Sequence, residues 1–227
     1  MELLTLDHVA LWVGDRDALA AFCCGHLGMH EIARTDAFTL VGSSARHGKL
    51  TLFAAEGPRE RGALDAVGLR VPDLAAARAA LPTGAAVAEG EGRLRVGAPE
   101  GLDVVLVERP GTPVPYDLDH VALRCADPDA ACVALAGLGV PERDGRLEVA
   151  GTALVPVAGA PAPTGRPLLN HLGFRVPSAD EALRRSEAHG VQVLRVVDAE
   201  NTAAVFVQGP EDVVVEYVEH KPGFSLV

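Results

Sequence analysis

One segment recurs four times along the 227-residue chain, and it limits what the chain can fold into. LDHVALWV (6–13), LDAVGLRV (64–71), LDHVALRC (118–125) and LNHLGFRV (169–176) start 58, 54 and 51 residues apart. Such a period marks copies of one supersecondary unit. An Asp- or Ser-bearing turn follows each copy (GDRD, PDL, ADPD, PSAD), then an Ala/Leu-rich stretch. Asp or Ser before such a stretch caps a helix N-terminus, and a terminal Gly suits a helix C-terminus. Short Val-rich runs come next, such as FTLVG and KLTLFAA in the first copy and VQVLRVV, AAVFVQG and VVVEYVE in the fourth. Bounded by Gly, Pro and Asp, these runs read as strands. Each copy is therefore a strand, a helix and about three further strands.

A single copy leaves its sheet open and one apolar face bare, so copies must pair. RPGTPVPYD, rich in Pro and Gly, reads as a linker. It divides the chain into an N-terminal module pair, 1–110, and a C-terminal module pair, 116–227.

Apolar residues make up 48% of the chain, enough for a core, yet no uninterrupted apolar run is long enough to span a membrane. No basic segment precedes an apolar run at MELLTLDHVAL, so a cytoplasmic location is expected. The net charge of −11 repels phosphate backbones and argues against nucleic acid as a partner. Cys23, Cys24, Cys125 and Cys132 fall in apolar stretches without a CxxC pair, and are expected to be buried reduced thiols.

The copies differ in the polar residues that their strands carry. In the first strand the equivalent residues are His8, Ala66, His120 and His171. Near the end of the fourth copy, PEDVVVE places Glu216 in an apolar strand, where a charge is costly unless paired or metal-bound. The second copy reads PEGLDVV, with Val105 at that place; KLTLFAA and TALVPV offer no ligand there.

Through LDHVAL and GPEDVVVEY the chain resembles, over nearly its whole length, the vicinal oxygen chelate superfamily. That superfamily includes glyoxalase I, methylmalonyl-CoA epimerase, bleomycin-resistance proteins, 4-hydroxyphenylpyruvate dioxygenase and the type I extradiol dioxygenases. The resemblance implies an α+β fold of four βαβββ modules forming two paired, barrel-like domains. It also implies a metal held by strands one and four of paired modules. The extradiol enzymes draw three ligands from modules three and four, which here are His120, His171 and Glu216. Two histidines and a carboxylate suit non-haem Fe(II); Mn, Zn or Ni are the other candidates. His8 then reads as a remnant in a degenerate N-terminal pair.

Departures from the extradiol pattern accompany the match. Phe206 stands where a Tyr is expected, four residues before Pro210, and Gly209 stands where an Asp is expected. The region of the expected acid/base His reads RVVDAEN, leaving Asp198 or Glu200 as titratable groups. His220 shares the parity of Glu216 near the strand end; a solvated position is expected, with an acid/base role at the cavity mouth as the alternative. Arg124 and Arg175 share the parity of the histidines and are candidates for an anionic substrate group, or else reach to the barrel end. The pocket is expected to be walled by Val, Leu and Ala, with Trp12, Phe174, Phe206 or Tyr217 as exceptions.

Three functions stay open at this point. The first is an extradiol-type dioxygenase acting on a small catechol-like or 2-oxo substrate. The second is a glyoxalase-type lyase or isomerase, and the third is a drug-binding resistance protein. The partner in each is a small molecule, and the chain is a monomer or a homodimer.

Overall fold

A computed structural model describes residues 1–161 and 164–224. The four copies fold as expected, each as a βαβββ module. The first holds β1 (Thr5–Val13), α1 (Arg16–His26), β2 (His30–Arg34), β3 (Phe38–Gly42) and β4 (Lys49–Ala54). The second holds β5 (Leu64–Val71), α2 (Leu74–Ala80), β6 (Val87–Gly90), β7 (Arg93–Gly97) and β8 (Asp103–Glu108). The third holds β9 (Asp117–Cys125), α3 (Pro128–Gly137), β10 (Glu142–Arg143), β11 (Arg146–Val149) and β12 (Thr152–Ala158). The fourth holds β13 (Leu169–Arg175), α4 (Ala179–Ala188), β14 (Val193–Asp198), β15 (Thr202–Gln208) and β16 (Val214–His220).

The helices start where the capping residues put them. The side chains of Asp15, Asp73, Asp127 and Ser178 accept hydrogen bonds from the backbone N–H three residues on. Each satisfies one of the donors that a helix start leaves free. No helix among the described residues is long and apolar enough to cross a membrane.

The pairing of modules differs from the division at the linker. Among the described residues the strands form two eight-stranded sheets. One joins the first and fourth modules in the order β14-β15-β16-β13-β1-β4-β3-β2. The other joins the third and second, in the order β10-β11-β12-β9-β5-β8-β7-β6. Segments 1–110 and 116–227 therefore each contribute one module to each sheet. Hydrogen bonds link the first module to the second and the third to the fourth. At the Pro99–Gly101 turn, the Glu100 carboxylate accepts from the N–H groups of Gly14 (2.6 Å) and Asp15 (3.2 Å) at the start of α1. Glu211, in the matching Pro210–Asp212 turn, accepts from Ala126 N–H (2.8 Å) before α3. The first and second modules, and the third and fourth, thus meet through helix starts and turns rather than through their first strands.

Strand alternation separates two faces. Val9, Leu11 and Val13 of β1, Leu172 and Phe174 of β13, and Val215 and Tyr217 of β16 join the main core with Leu19, Phe22 and Cys23 of α1. Each fully buried side chain of this size contributes ~1.5–3 kcal/mol. The alternate residues, His8 and Ala10, His171 and Gly173, and Glu216 and Val218, lie on the opposite face.

Two smaller expectations need correction. Cys23 and Cys125 are buried, and burial pushes their thiols up to about 12 and about 11. Cys24 is exposed, because adjacent positions on a helix point about 100° apart, and Cys132 is half-buried. All four are free.

Candidate metal centre

The LDH motif is a β-bulge. Register shifts in the two central strand pairs leave one extra residue in each first strand: Asp7, Asp65, Asp119 and Asn170. A bulge turns the extra side chain toward that of its neighbour. His8 Nδ1–H accordingly donates to Asp7 Oδ2 (2.9 Å), and His120 Nδ1–H to Asp119 Oδ2 (2.9 Å). His171 Nδ1–H donates to Asn170 Oδ1 (2.9 Å). Each such bond fixes a tautomer whose Nε2 lone pair points away from the bulge, the arrangement that metal-binding histidines require. The fourth bulge has Ala66 in place of a histidine, and Asp65 instead binds Arg95 (2.9 Å) and Arg124 (2.9 Å).

Of the three residues expected to hold a metal, the structure brings two together. His171 Nε2 lies 3.2 Å from Glu216 Oε2, and the third member is His8, not His120. His8 Nε2 is 3.0 Å from His171 Nε2 and 3.1 Å from Glu216 Oε2. His120 stands in the other sheet, packed against Gly68, with Ala66, Val105, Ala122 and Val155 forming an apolar cluster around it. The cause is the module pairing: β1, not β9, lies beside β13. His8 is therefore a member of the intact cluster, and His120 is the isolated one.

Three acceptors facing one another at this range repel unless a positive charge sits among them. Glu216 Oε2 is buried, with His8 Nε2 at 3.1 Å and His171 Nε2 at 3.2 Å. Proton uptake meets the same demand. Burial alone would lower His8, but hydrogen bonds to Asp7 and Glu216 outweigh it and raise His8 to about 9. Burial alone would raise Glu216, but His171 and His8 hold it down to about 2. Burial and the charge on His8 lower His171, with Glu216 opposing. The three donor atoms lie 3.0 to 3.2 Å from one another, close enough for one cation to bind all of them.

A cavity of about 240 Å³ opens over the triad. Its apolar wall is more aromatic than composition suggests: Phe38, Phe53, Phe206 and Phe224 all contribute. Phe206 meets His171 edge-on, with ring centroids 5.2 Å apart, and carries the Arg195 guanidinium 4.1 Å from its own centroid. Phe174 and Tyr217 are instead core residues on the opposite face, and Trp12 packs on Phe53. Strand alternation accounts for the first two, since Phe174 follows Gly173 and Tyr217 follows Glu216, positions on the cavity face.

The polar wall holds Asp7, Lys49, Thr51, Thr202 and His220. Lys49 is only 2% exposed, and its Nζ donates to Asp7 Oδ2 (2.7 Å). His220 Nε2 lies 3.6 Å from Asp7 Oδ1, and the His220 ring stacks on Phe224 at 3.7 Å. His220 is thus in the cavity. Asp198 pairs with Lys221, and neither Asp198 nor Glu200 lines the cavity. Arg124 belongs to the Asp65 network of the other sheet, and Arg175 is also outside the cavity wall. The buried Lys49–Asp7 pair is not legible in the sequence, although the bulge that holds Asp7 recurs in every copy.

No curated protein matches the chain by sequence. Solved structures match its fold. A candidate dioxygenase from Bacillus subtilis aligns with a TM-score of 0.77 at 19% identity, over 98% of this chain and 87% of that one. Glyoxalase I from Zea mays aligns at 0.76 and 14% identity, over 95% and 92%. The cppA protein from Streptococcus pneumoniae aligns at 0.61 and 16% identity, over 93% and 96%. At these identities the likeness is one of fold. The family model described as Glyoxalase/Bleomycin resistance protein/Dioxygenase superfamily matches residues 5–217, and the chain belongs to that superfamily.

Proposed function

We propose that the chain is a metal-dependent enzyme in which His8, His171 and Glu216 hold a divalent cation, Fe(II) by preference. The reaction proposed is extradiol-type cleavage of a small catechol-like or 2-oxo substrate. The observation that supports it best is the triangle of donor atoms with edges of 3.0 to 3.2 Å, closed on the protein side and open to the cavity. Two histidines and one carboxylate on one face leave about three positions for exogenous ligands. A bound Fe(II) would relay electron density between substrate and dioxygen; the substrate itself would supply the electrons, both oxygen atoms would enter the ring-opened product, and no external reductant would be consumed.

The chain's own residues have separable tasks. Asp7 and Asn170 hold the two imidazoles in the ligating tautomer. Lys49 keeps Asp7 in place and offsets its charge. Phe38, Phe53 and Phe206 exclude water and present flat apolar surface to a ring. His220, the one cavity histidine outside the triad, holds or moves a proton at Nε2.

Phe206 favours a second reading, a glyoxalase-type lyase or isomerase, because it puts a bare ring where the extradiol resemblance implies a phenol. In that case a cation held by the triad would supply polarisation of a carbonyl, and Glu216 or His220 would move the proton. Oxygen uptake separates the two. Protein loaded anaerobically with Fe(II) is expected to consume dioxygen with at least one member of a catechol and 2-oxo acid panel. No uptake across the panel, with Zn or Ni retained in the purified protein, would establish the second reading instead.

A further inference from the structure

Of the charged residues in the cavity wall, Arg195 alone has no charged partner among the described residues. Lys49 pairs with Asp7, and Glu216 faces His8 and His171. The Arg195 guanidinium instead sits over Phe206, 4.1 Å from the ring centroid. Such a cation–π contact holds a guanidinium in place without using up its donors. Its fork of N–H groups makes no hydrogen bond to another described residue, and a fork of this shape matches a carboxylate.

Register accounts for how an edge strand reaches the site. A bulge at Leu194 precedes Arg195 in β14. Arg195, Phe206 and Glu216 then stand side by side on β14, β15 and β16. Two strand spacings, ~10 Å, separate the first backbone from the third. The arginine spans the first spacing by lying across Phe206, whose ring meets His171 edge-on with 5.2 Å between centroids. One phenyl ring thus bridges the guanidinium and the triad. The other end of the cavity lacks this cation. There the first module has Ala33, Leu40 and Thr51 in the matching row, after a matching bulge at Ile32. In the second module the row is Ala88, Arg95 and Val105. An arginine at this place is no trait of the repeat; it belongs to the module that supplies Glu216.

We infer that Arg195 is a specificity residue, whose guanidinium donates to a carboxylate on the edge of the substrate ring remote from the oxygens that face the triad. This rests on the metal reading above, which places those oxygens. Phe206 offers the ring an apolar face, and the guanidinium beside it takes the carboxylate through two parallel N–H···O bonds. Phe38 and Phe53, on the first module's side of the cavity, accept the uncharged edge. With a cation at one end only, a ring that bears one carboxylate enters one way round. The substrate class that follows is a ring-bearing carboxylate rather than a neutral phenol.

Two matched pairs of probes test this without turnover: protocatechuate against 4-methylcatechol, and dihydrocaffeate against 4-propylcatechol. Binding to Co(II)-loaded protein is followed anaerobically by the visible absorbance of Co(II), and the ratio of affinities within each pair is read. Arg195 is exposed on an edge strand, so its variants are expected to fold. Arg195→Met is expected to lower the preference for the carboxylate about tenfold in at least one pair, the usual worth of a hydrogen bond to a charged group. Arg195→Lys keeps the charge but not the fork, and is expected to restore part of that preference. Lost packing on Phe206 would weaken both members of a pair alike, so the ratio reports on the carboxylate itself. Equal ratios in wild type and Arg195→Met for both pairs overturn the inference. His171→Ala separates the two levels. Co(II) binding unchanged there removes the metal reading itself, whereas binding lost there, with ratios that ignore Arg195, defeats this inference alone.

Discussion

His8 and His171 are 163 residues apart in sequence, yet their Nε2 atoms lie 3.0 Å apart with the rings at 82°. First and last modules thus share one site. Removing either imidazole leaves two donors where the cation needs three. His8→Ala and His171→Ala are therefore each expected to weaken metal binding by about 100-fold or more, beyond the cost typical of altering a residue that merely orients a ligand. His120→Ala is expected to bind as wild type does. Equilibrium metal titrations of the three variants check this, and a loss confined to His171→Ala and His120→Ala would return the site to modules three and four.

Gly173 is the residue across from His8 in the antiparallel pair, and the His8 ring lies flat over it. A Cβ there would collide with the ring. Gly173→Ala is expected to displace His8, to cost about 1–3 kcal/mol of stability and to weaken the metal site. Gly68 has the same relation to His120 in the other sheet. Gly68→Ala is expected to cost similar stability but to leave metal affinity alone. Urea unfolding and metal titration on both variants give the comparison.

The repeat, the helix caps and the inward parity of His171, Glu216 and His220 were legible in the sequence because each depends on local periods or on capping chemistry. The partner of His171 was not. His8 and His120 have identical local sequences, LDHVAL, and nothing local says which first strand pairs with β13. Glu100 and Glu211 link the first module to the second and the third to the fourth through turns and helix starts. Glu211 lies inside the closing motif GPEDVVVEY, and it accepts before α3 rather than facing the cavity. The aromatic cavity wall was hidden for a different reason. Phe38 and Phe53 are in the first module, which contributes to the site only through that long-range pairing.

Asp7 and Lys49 form an ion pair that is 6% and 3% exposed at the side chains. Removing one member of a buried pair leaves the other charge without compensation, at a cost on the order of 3 kcal/mol. Lys49→Met is expected to lose about that much. The double variant Asp7→Asn with Lys49→Met is expected to recover part of it, since no lone charge remains. Unfolding free energies of both single variants and the double variant form the cycle. Additive losses would show that the two residues do not act as a pair.

Asp65 and Asp103 make the second sheet sensitive to acid. Burial on its own raises both carboxyls. Hydrogen bonds from Arg95 and Arg124 to Asp65, and from Arg61 and Arg95 to Asp103, outweigh it and hold both below the usual carboxylate range. The sign follows from proton counts. As pH falls through the ordinary value of ~3.9, unfolded chains take up protons at these positions before folded chains do. Wherever the unfolded state binds more protons, stability falls with falling pH. The contribution is therefore fully present above about pH 5 and is lost as pH drops through the lowered folded values. Asp65→Asn removes one such group and leaves Asp7 and Glu216, which behave alike in both proteins, to cancel. Urea midpoints from about pH 5 down to about pH 2 are expected to fall less steeply for Asp65→Asn than for wild type. Arg95 and Arg124 are 37% and 44% exposed at their side chains, so solvent and salt screen the network, and the difference in slope is expected to narrow in high salt. Parallel slopes at low salt would mean that the arginines stabilise Asp65 no better in the folded chain than water does in the unfolded one.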